Sequence, residues 1–390
     1  MKASWPVKML GEIATVIAGQ SPPGNSYNSV GKGTPFYQGK KDYGVRFLSP
    51  PTVWTTEETK IAEANDLLIS VRAPVGALNF ATQRVCIGRG LAAIRTTKVL
   101  PDFLYYALSH LSSTILGKDG VVFSSITKND IKKIVVPVLP ADEQKRIVGI
   151  LDAAFEKIDA VQRNAERNLA NAKELFQRVL DEEMTPKDGN KLFNLKEIAA
   201  ILVGYAFKSS EYSTDPHDLK LVCGDNIEPG FFRWDETKYW PRKNVAQYSQ
   251  FLLKTDDVVL AMDRPWIKSG LKRALVKEDV LPALLLQRTA CLRTGDKDIA
   301  RYLYFILGSS FFVEHVLNQQ TPGSVPHISG KQIASFPLYL PEEKRIHSAV
   351  RRISTLYEAT QTEESKYRRL LSLCAELKRQ ILAKAFNGEL

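Results

Sequence analysis

The amino-acid sequence predicts an α+β fold: two repeated mixed α/β domains separated by two long helices, which form an antiparallel coiled coil and give the chain pseudo-twofold symmetry. Three observations predict it. Segments recur in the same order after roughly 195 residues. Two stretches almost free of glycine and proline carry helical periodicity. The regions between them are short apolar runs bounded by turn residues.

The predicted boundaries are a first domain over 1–140, a long helix over 141–189, a second domain over 190–340 and a second long helix over 341–390. In the first domain Asp66-Leu67-Leu68-Ile69-Ser70-Val71 reads as a strand, and Ser21-Pro22-Pro23-Gly24 and Ala73-Pro74-Val75-Gly76 read as turns. The first helical stretch places Ile147, Leu151, Ala154, Ile158, Val161, Ala165, Asn168, Ala172, Leu175 and Val179 at alternating steps of three and four, a coiled-coil seam. About 41 residues at helical rise make a rod of roughly 60 Å. The second domain then repeats the first. Glu12-Ile13-Ala14 with Gly19 returns as Glu197-Ile198-Ala199 with Gly204, and Asp66-Leu67-Leu68 with Pro74 returns as Asp257-Val258-Val259 with Pro265. Phe103-Leu104-Tyr105-Tyr106 returns as Tyr302-Leu303-Tyr304-Phe305. The second helix carries Ile346, Val350, Ile353, Tyr357, Leu371 and Cys374 before its seam slips toward Leu377 and Ile381. Aligning Ile147 with Ile381 sets Asn168 opposite Thr360, a polar layer expected to fix the register.

Hydrophobic and charged fractions of 44% and 25% belong to an ordinary globular protein and exclude disorder and low complexity. The cysteines, Cys86, Cys223, Cys291 and Cys374, form no C-x-x-C pair, which excludes a disulfide scaffold. No apolar run approaches the roughly 18–20 residues of a membrane helix, and the N-terminus has no signal-peptide core. A soluble, cytoplasmic protein with no membrane partner is expected. The net charge of +10 divides as +7 over 1–140, −3 over 141–189, +3 over 190–340 and +3 over 341–390. The cationic surplus on the globular domains favours nucleic acid.

No catalytic constellation is complete. Ser21-Pro22-Pro23-Gly24 and Ser49-Pro50-Pro51-Thr52 begin like the loop of amino-methyltransferases but lack the aromatic that stacks on a flipped base. Glu58-Thr59-Lys60 with Asp42 imitates a nuclease triplet, and the histidines lack metal-ligand spacing. A binding protein without catalytic residues, metal or cofactor of its own is expected.

The DNA-binding candidates fall in two sets. Lys32, Gln38, Lys40, Lys41 and Tyr43 share a run of glycines, lysines and aromatics; Arg72 and Arg89 flank turns; Ser124, Ser125 and Lys128 follow a glycine-bearing loop. The parallel set is Lys208, Ser209, Arg233, Arg264, Lys268, Lys272, Gln287, Arg288 and His327. Lysine and arginine anchor phosphates, and a glutamine can pair with adenine. Singly, each reads more readily as a solvated surface side chain; as two patches they point to double-stranded DNA.

Pro35-Phe36-Tyr37-Gln38-Gly39-Lys40, Val71-Arg72-Ala73-Pro74-Val75-Gly76, Ile87-Gly88-Arg89-Gly90-Leu91 and Gly204-Tyr205-Ala206-Phe207-Lys208-Ser209 carry a family resemblance. So do Leu139-Pro140-Ala141-Asp142-Glu143-Gln144-Lys145-Arg146-Ile147, Val325-Pro326-His327-Ile328-Ser329 and the ending 377–390. Together, and over essentially the whole chain, they resemble the specificity subunit of Type I restriction-modification systems. The resemblance implies two target-recognition domains, each reading half of a bipartite DNA sequence, with the helices as spacer and docking surface for two modification subunits. Those subunits would carry S-adenosylmethionine and methylate adenine, and restriction subunits would add translocation and cleavage driven by ATP with Mg. Lys344, where the second copy would match Gln144, and the altered loop Thr321-Pro322-Gly323-Ser324 imply unequal docking surfaces. Two other readings stay open on the residues alone: a stand-alone DNA methyltransferase or nuclease, and a coiled-coil scaffold that binds only proteins.

Overall fold

A computed structural model describes residues 5–111, 125–185, 190–319 and 326–390. The chain divides into two units, residues 1–166 with 368–390, and residues 167–367.

In the first unit Val7–Met9 pairs antiparallel with Val135–Pro137, closing the ends of the globular segment on each other. The central antiparallel sheet has the strand order Ala14–Ala18, Leu91–Thr96, Leu67–Ser70, Leu78–Phe80. Strand side chains alternate between faces. Leu67 and Ile69 therefore join Phe103, Leu104, Ile147, Leu151, Leu382 and Ala385 on the helical side, while Leu68 and Ala93 join Tyr37, Val85 and Ile87 of a second sheet. Both faces are covered, so Leu67–Ser70 is buried throughout, apolar from Leu67 to Ile69, with the Ser70 hydroxyl donating to Pro74 O at 2.7 Å. Each buried leucine contributes about 2 kcal/mol. In the second sheet Thr34–Tyr37 runs parallel to Val85–Ile87.

The second unit repeats this plan. Lys191–Asn194 pairs with Pro337–Leu340, and the central sheet runs Ala200–Val203, Thr289–Arg293, Val258–Ala261, Arg273–Leu275. Val258 and Leu260 face Tyr302, Leu303, Ile346, Val350 and Ile353, whereas Val259 and Ala261 face Val222, Ala283 and Leu285. Leu219–Val222 runs parallel to Ala283–Leu285, as its counterpart does in the first unit. Both copies anchor the central strand by a buried carboxylate. Asp66 accepts from Arg95 Nε (2.9 Å) and Nη2 (2.7 Å), and Asp257 accepts from Arg293 Nε (2.8 Å) and Nη2 (2.6 Å).

The long helices are Ala141–Met184 and Glu343–Phe386, 44 residues each, or about 66 Å. Gln144 fastens the start of the first: its Nε2 donates to Leu139 O and its Oε1 accepts from Leu100 N, both at 2.7 Å. The helices pair antiparallel within each unit. In the first, Lys378 meets Asp159 and lies over the Phe155 ring. In the second, Phe176 packs on Tyr357, Lys173 reaches Glu364 at 3.5 Å, and Arg352 pairs with Glu183.

The predicted seam needs correction. Ile147, Leu151, Ile158, Val350 and Ile353 are buried, and Leu371 and Ile381 are half-buried. Val161 and Leu175, however, are 43% and 52% exposed, and Asn168 is exposed. Ile158 and Ala165 keep their predicted places, but beyond them Leu169, Phe176 and Leu180 pack more deeply than Asn168, Leu175 and Val179, so the contact face moves one residue along from the predicted heptad. A straight α-helix makes 3.6 residues per turn, so a strict seven-residue pattern drifts around it by about 20° per heptad. The register also differs. The predicted alignment set Lys173 against Thr355, but Lys173 meets Glu364, so no Asn168–Thr360 layer forms. Thr360 is buried and donates instead to Leu356 O of its own helix at 2.8 Å.

Candidate nucleic-acid interface

Five loops of the first unit are laced together at one edge of the central sheet. Gly90 N donates to Gln38 O (3.2 Å), Val71 N to Gly90 O (3.0 Å), and Ile126 N to Val71 O (3.0 Å), while Arg72 bridges Ser125. Gly19 N donates to Leu91 O, and Ser21 Oγ to Gln38 Oε1 (3.1 Å). The close approach demands glycine: a Cβ on Gly19 would lie 2.1 Å from Gly88 O. The result is a shared surface on which Gln38, Lys40, Lys41, Arg72, Arg89 and Ser125 are all exposed. Gln38, Gly39, Lys40, Lys41, Ala73 and Pro74 line an open groove of about 490 Å³. Lys128 begins the short helix Lys128–Lys133, whose Thr127 caps it by accepting from Asp130 N.

The loop behind the groove is rigidly mounted. Tyr37 donates to Ser49 O at 2.7 Å, and burial followed by the Asp42 charge pushes its hydroxyl up to about 12. Burial also raises the Asp42 carboxyl above the usual carboxylate range, against the opposing pull of Lys41. Arg46 lies over the rings of Phe80, Tyr105 and Tyr106 and donates to Asp102 and Asp152, each at 2.7 Å. Burial works against its charge, but the hydrogen bond to Asp152 and the nearby anions overcome it and hold the guanidinium above its ordinary range.

The second unit laces its loops by the same bonds. Gly204 N donates to Thr289 O, Tyr205 N to Leu285 O, Met262 N to Arg288 O and Ile328 N to Met262 O, and Asp263 bridges His327. A Cβ on Gly204 would lie 1.9 Å from Leu286 O. Arg264, Gln287, Arg288 and His327 are brought together here, with Arg264 N donating to Pro326 O at 2.9 Å. Asp263 Oδ1 accepts from His327 Nδ1 at 2.5 Å and from Arg288 Nη1 at 3.5 Å.

Several sequence candidates lie elsewhere. Tyr43 packs against the core with its hydroxyl buried and unpaired among the described residues, and burial drives that hydroxyl far up, so it is no surface contact. Lys272 is only 8% exposed, because it follows the buried strand end Gly270–Leu271. Arg233 is exposed but spent on Glu228 and Asp235, beside Asp225 and Glu236 in an acidic recess. Lys32 sits in a turn organised by Asn28, and Lys268 in the exposed hairpin turn after Trp266–Ile267. Lys208 and Ser209 continue the Gly204 loop on exposed backbone, Lys208 facing Glu211 at 4.0 Å. Ser124 and the loop Thr321–Val325 lie outside the described residues, as does the Lys344 side chain. Glu58, the would-be nuclease acid, is bound to Arg84 at 2.7 Å and Thr34 at 2.5 Å. Sequence reasoning missed Asp263, although counting two residues back from the repeated Pro74 and Pro265 aligns it with Arg72.

Comparison with known proteins gives the arrangement a context. Residues 2–167 match the Type I restriction modification DNA specificity domain. A protein of Methanocaldococcus jannaschii, named as the specificity subunit of type I restriction enzyme MjaX, is 41% identical over 182 residues. That alignment spans 45% of this chain and 42% of the relative, under half the relative's length. The MjaVIII specificity subunit of the same organism is 24% identical across 80% of this chain and 77% of its own. A solved chain, from work on complex assembly and conformational transition of the type I R-M system, superposes with a TM-score of 0.74 at 17% identity. It covers 100% of this chain and 99% of that one, a likeness of fold.

Proposed function

We propose that this chain, similar over residues 2–167 to the Type I restriction modification DNA specificity domain, is a specificity subunit whose two globular units read the two halves of a bipartite double-stranded DNA target and catalyse nothing themselves. One observation carries this reading. Both copies lace equivalent loops by the same backbone bonds and present exposed cationic and amide side chains from the same edge of the sheet. Lys40, Lys41 and Arg72 would anchor phosphates in one half-site, while Gln38 offers its amide to a base; Arg264 would anchor the other. The long helices would act as spacer and docking surface for two modification subunits. Those subunits would bring S-adenosylmethionine, and restriction subunits would bring the ATP- and Mg-dependent activities.

The test measures binding of the full chain, assembled with its modification subunits, to duplexes at several salt concentrations. Replacing Lys40 and Lys41 by alanine should flatten the slope of log affinity against log salt by about one for each lysine–phosphate pair removed. It should leave the bases selected in the other half-site unchanged. An unaltered salt slope, or a change in both half-sites, would overturn the assignment.

A further inference from the structure

The equivalent backbone bonds define which residues of the two units correspond. Val71 N to Gly90 O matches Met262 N to Arg288 O, and Ile126 N to Val71 O matches Ile328 N to Met262 O. The isolated bridges Arg72–Ser125 and Asp263–His327 complete the match. Asp263 therefore stands where the first unit has Arg72, His327 where it has Ser125, and Arg288 where it has Gly90. At one and the same place on the reading edge, the two copies carry opposite charge.

An acid on a surface meant for a polyanion repels phosphate, so it needs both a reason and a support. The support is visible. Both Arg288 and His327 contact Asp263 through a single oxygen, Oδ1, and Oδ2 has no partner among the described residues. Arg288 holds φ +65° and Arg264 φ +45°, left-handed backbone that a non-glycine residue adopts only when its surroundings enforce it. Two side chains from two other loops thus meet one carboxylate oxygen and leave the other open. Carboxylates at base edges accept from the N4 amino group of cytosine, whereas arginine pairs with guanine N7 and O6.

Resting on the reading of the units as DNA readers, we infer that Asp263 is a specificity-determining residue of the second unit, its Oδ2 accepting from the exocyclic amino group of a cytosine in the major groove. Arg288 and His327 are its positioning residues. The two half-sites therefore differ in kind at this place, a C·G pair being demanded by the second unit.

The experiment selects duplexes from a randomised pool with the full chain in its methyltransferase complex, and compares wild type with Asp263→Asn and Asp263→Arg. The wild-type chain should demand cytosine at one position of the second half-site. Asp263→Asn, isosteric and unable to present two acceptors, should lose about ten- to hundred-fold discrimination at that position alone. Asp263→Arg, imitating the first unit, should lose cytosine there as well. Preferences unchanged at every position, or affinity lowered equally for all sequences, would overturn the role of Asp263 while leaving DNA reading intact. A wild-type complex that selects no sequence at all would instead overturn the DNA-reading assignment itself, and the inference with it.

Discussion

Asp257→Asn is the sharpest probe of how the repeated sheet is held. The Asp257 carboxylate is 2% exposed and accepts three hydrogen bonds: Arg293 Nε at 2.8 Å, Arg293 Nη2 at 2.6 Å and Lys254 N at 2.7 Å. Asparagine keeps one acceptor and turns an amide N–H toward a guanidinium N–H, so it loses at least one charge-assisted bond and adds a donor–donor conflict. Breaking a buried ion pair from one side costs about 3–5 kcal/mol, and the 22% exposure of Arg293 places this loss near the lower end, about 3 kcal/mol. In the first unit Arg95 is 41% exposed, so Asp66→Asn should cost less, about 2 kcal/mol. Urea unfolding of the full chain, with hydrogen exchange followed separately at Leu67–Ser70 and Val258–Ala261, reads the two units independently. A loss below about 1 kcal/mol for Asp257→Asn, or a larger loss for Asp66→Asn, would refute the reasoning. Either result would mean that burial of the arginine does not set the strength of the pair.

Other expectations follow from the same structure. Gly204→Ala drives a Cβ to 1.9 Å from Leu286 O and should cost about 2–3 kcal/mol, seen as a lowered melting temperature; Gly149→Ala, with nothing within 4 Å in mid-helix, should stabilise by about 0.5–1 kcal/mol. Lys378→Glu should destabilise the first unit by about 1 kcal/mol through its contact with Asp159, and adding Asp159→Lys should restore most of that in a thermal-melt double-mutant cycle. Inserting four residues after both Glu166 and Tyr367 lengthens each helix by about 6 Å. On the proposed reading of the chain as a DNA-specificity subunit, methylome sequencing should then show half-sites separated by about two more base pairs.

Much of this molecule was legible before any coordinates. Repetition of Glu-Ile-Ala with a following glycine, of the acidic residue before each central strand, and of the aromatic helix Phe103–Tyr106 is a statement about sequence order alone, and the repeated sheets bear it out. Glycine- and proline-free stretches with 3-4 spacing marked the helices Ala141–Met184 and Glu343–Phe386, because backbone propensity and periodicity are local properties. Side-chain environments were less accessible. Tyr43 and Arg72 both stood in glycine-marked loops, yet one points into the core and the other out. Nothing within a few residues of either distinguishes them, since the difference is made by strands distant in the chain.

Sequence order and local pattern alone carry the duplicated plan, the two long helices and the loops rich in cationic side chains. Only the tertiary structure decided the helix seam and register, because a 3.6-residue turn drifts from a heptad and the packing partner selects the face. It alone brought Gln38, Arg72, Arg89 and Ser125 to one edge, and set Asp263 between Arg288 and His327. Those neighbours meet through bonds between residues tens of positions apart, from Val71–Gly90 to Met262–Ile328, a distance over which local pattern carries no information.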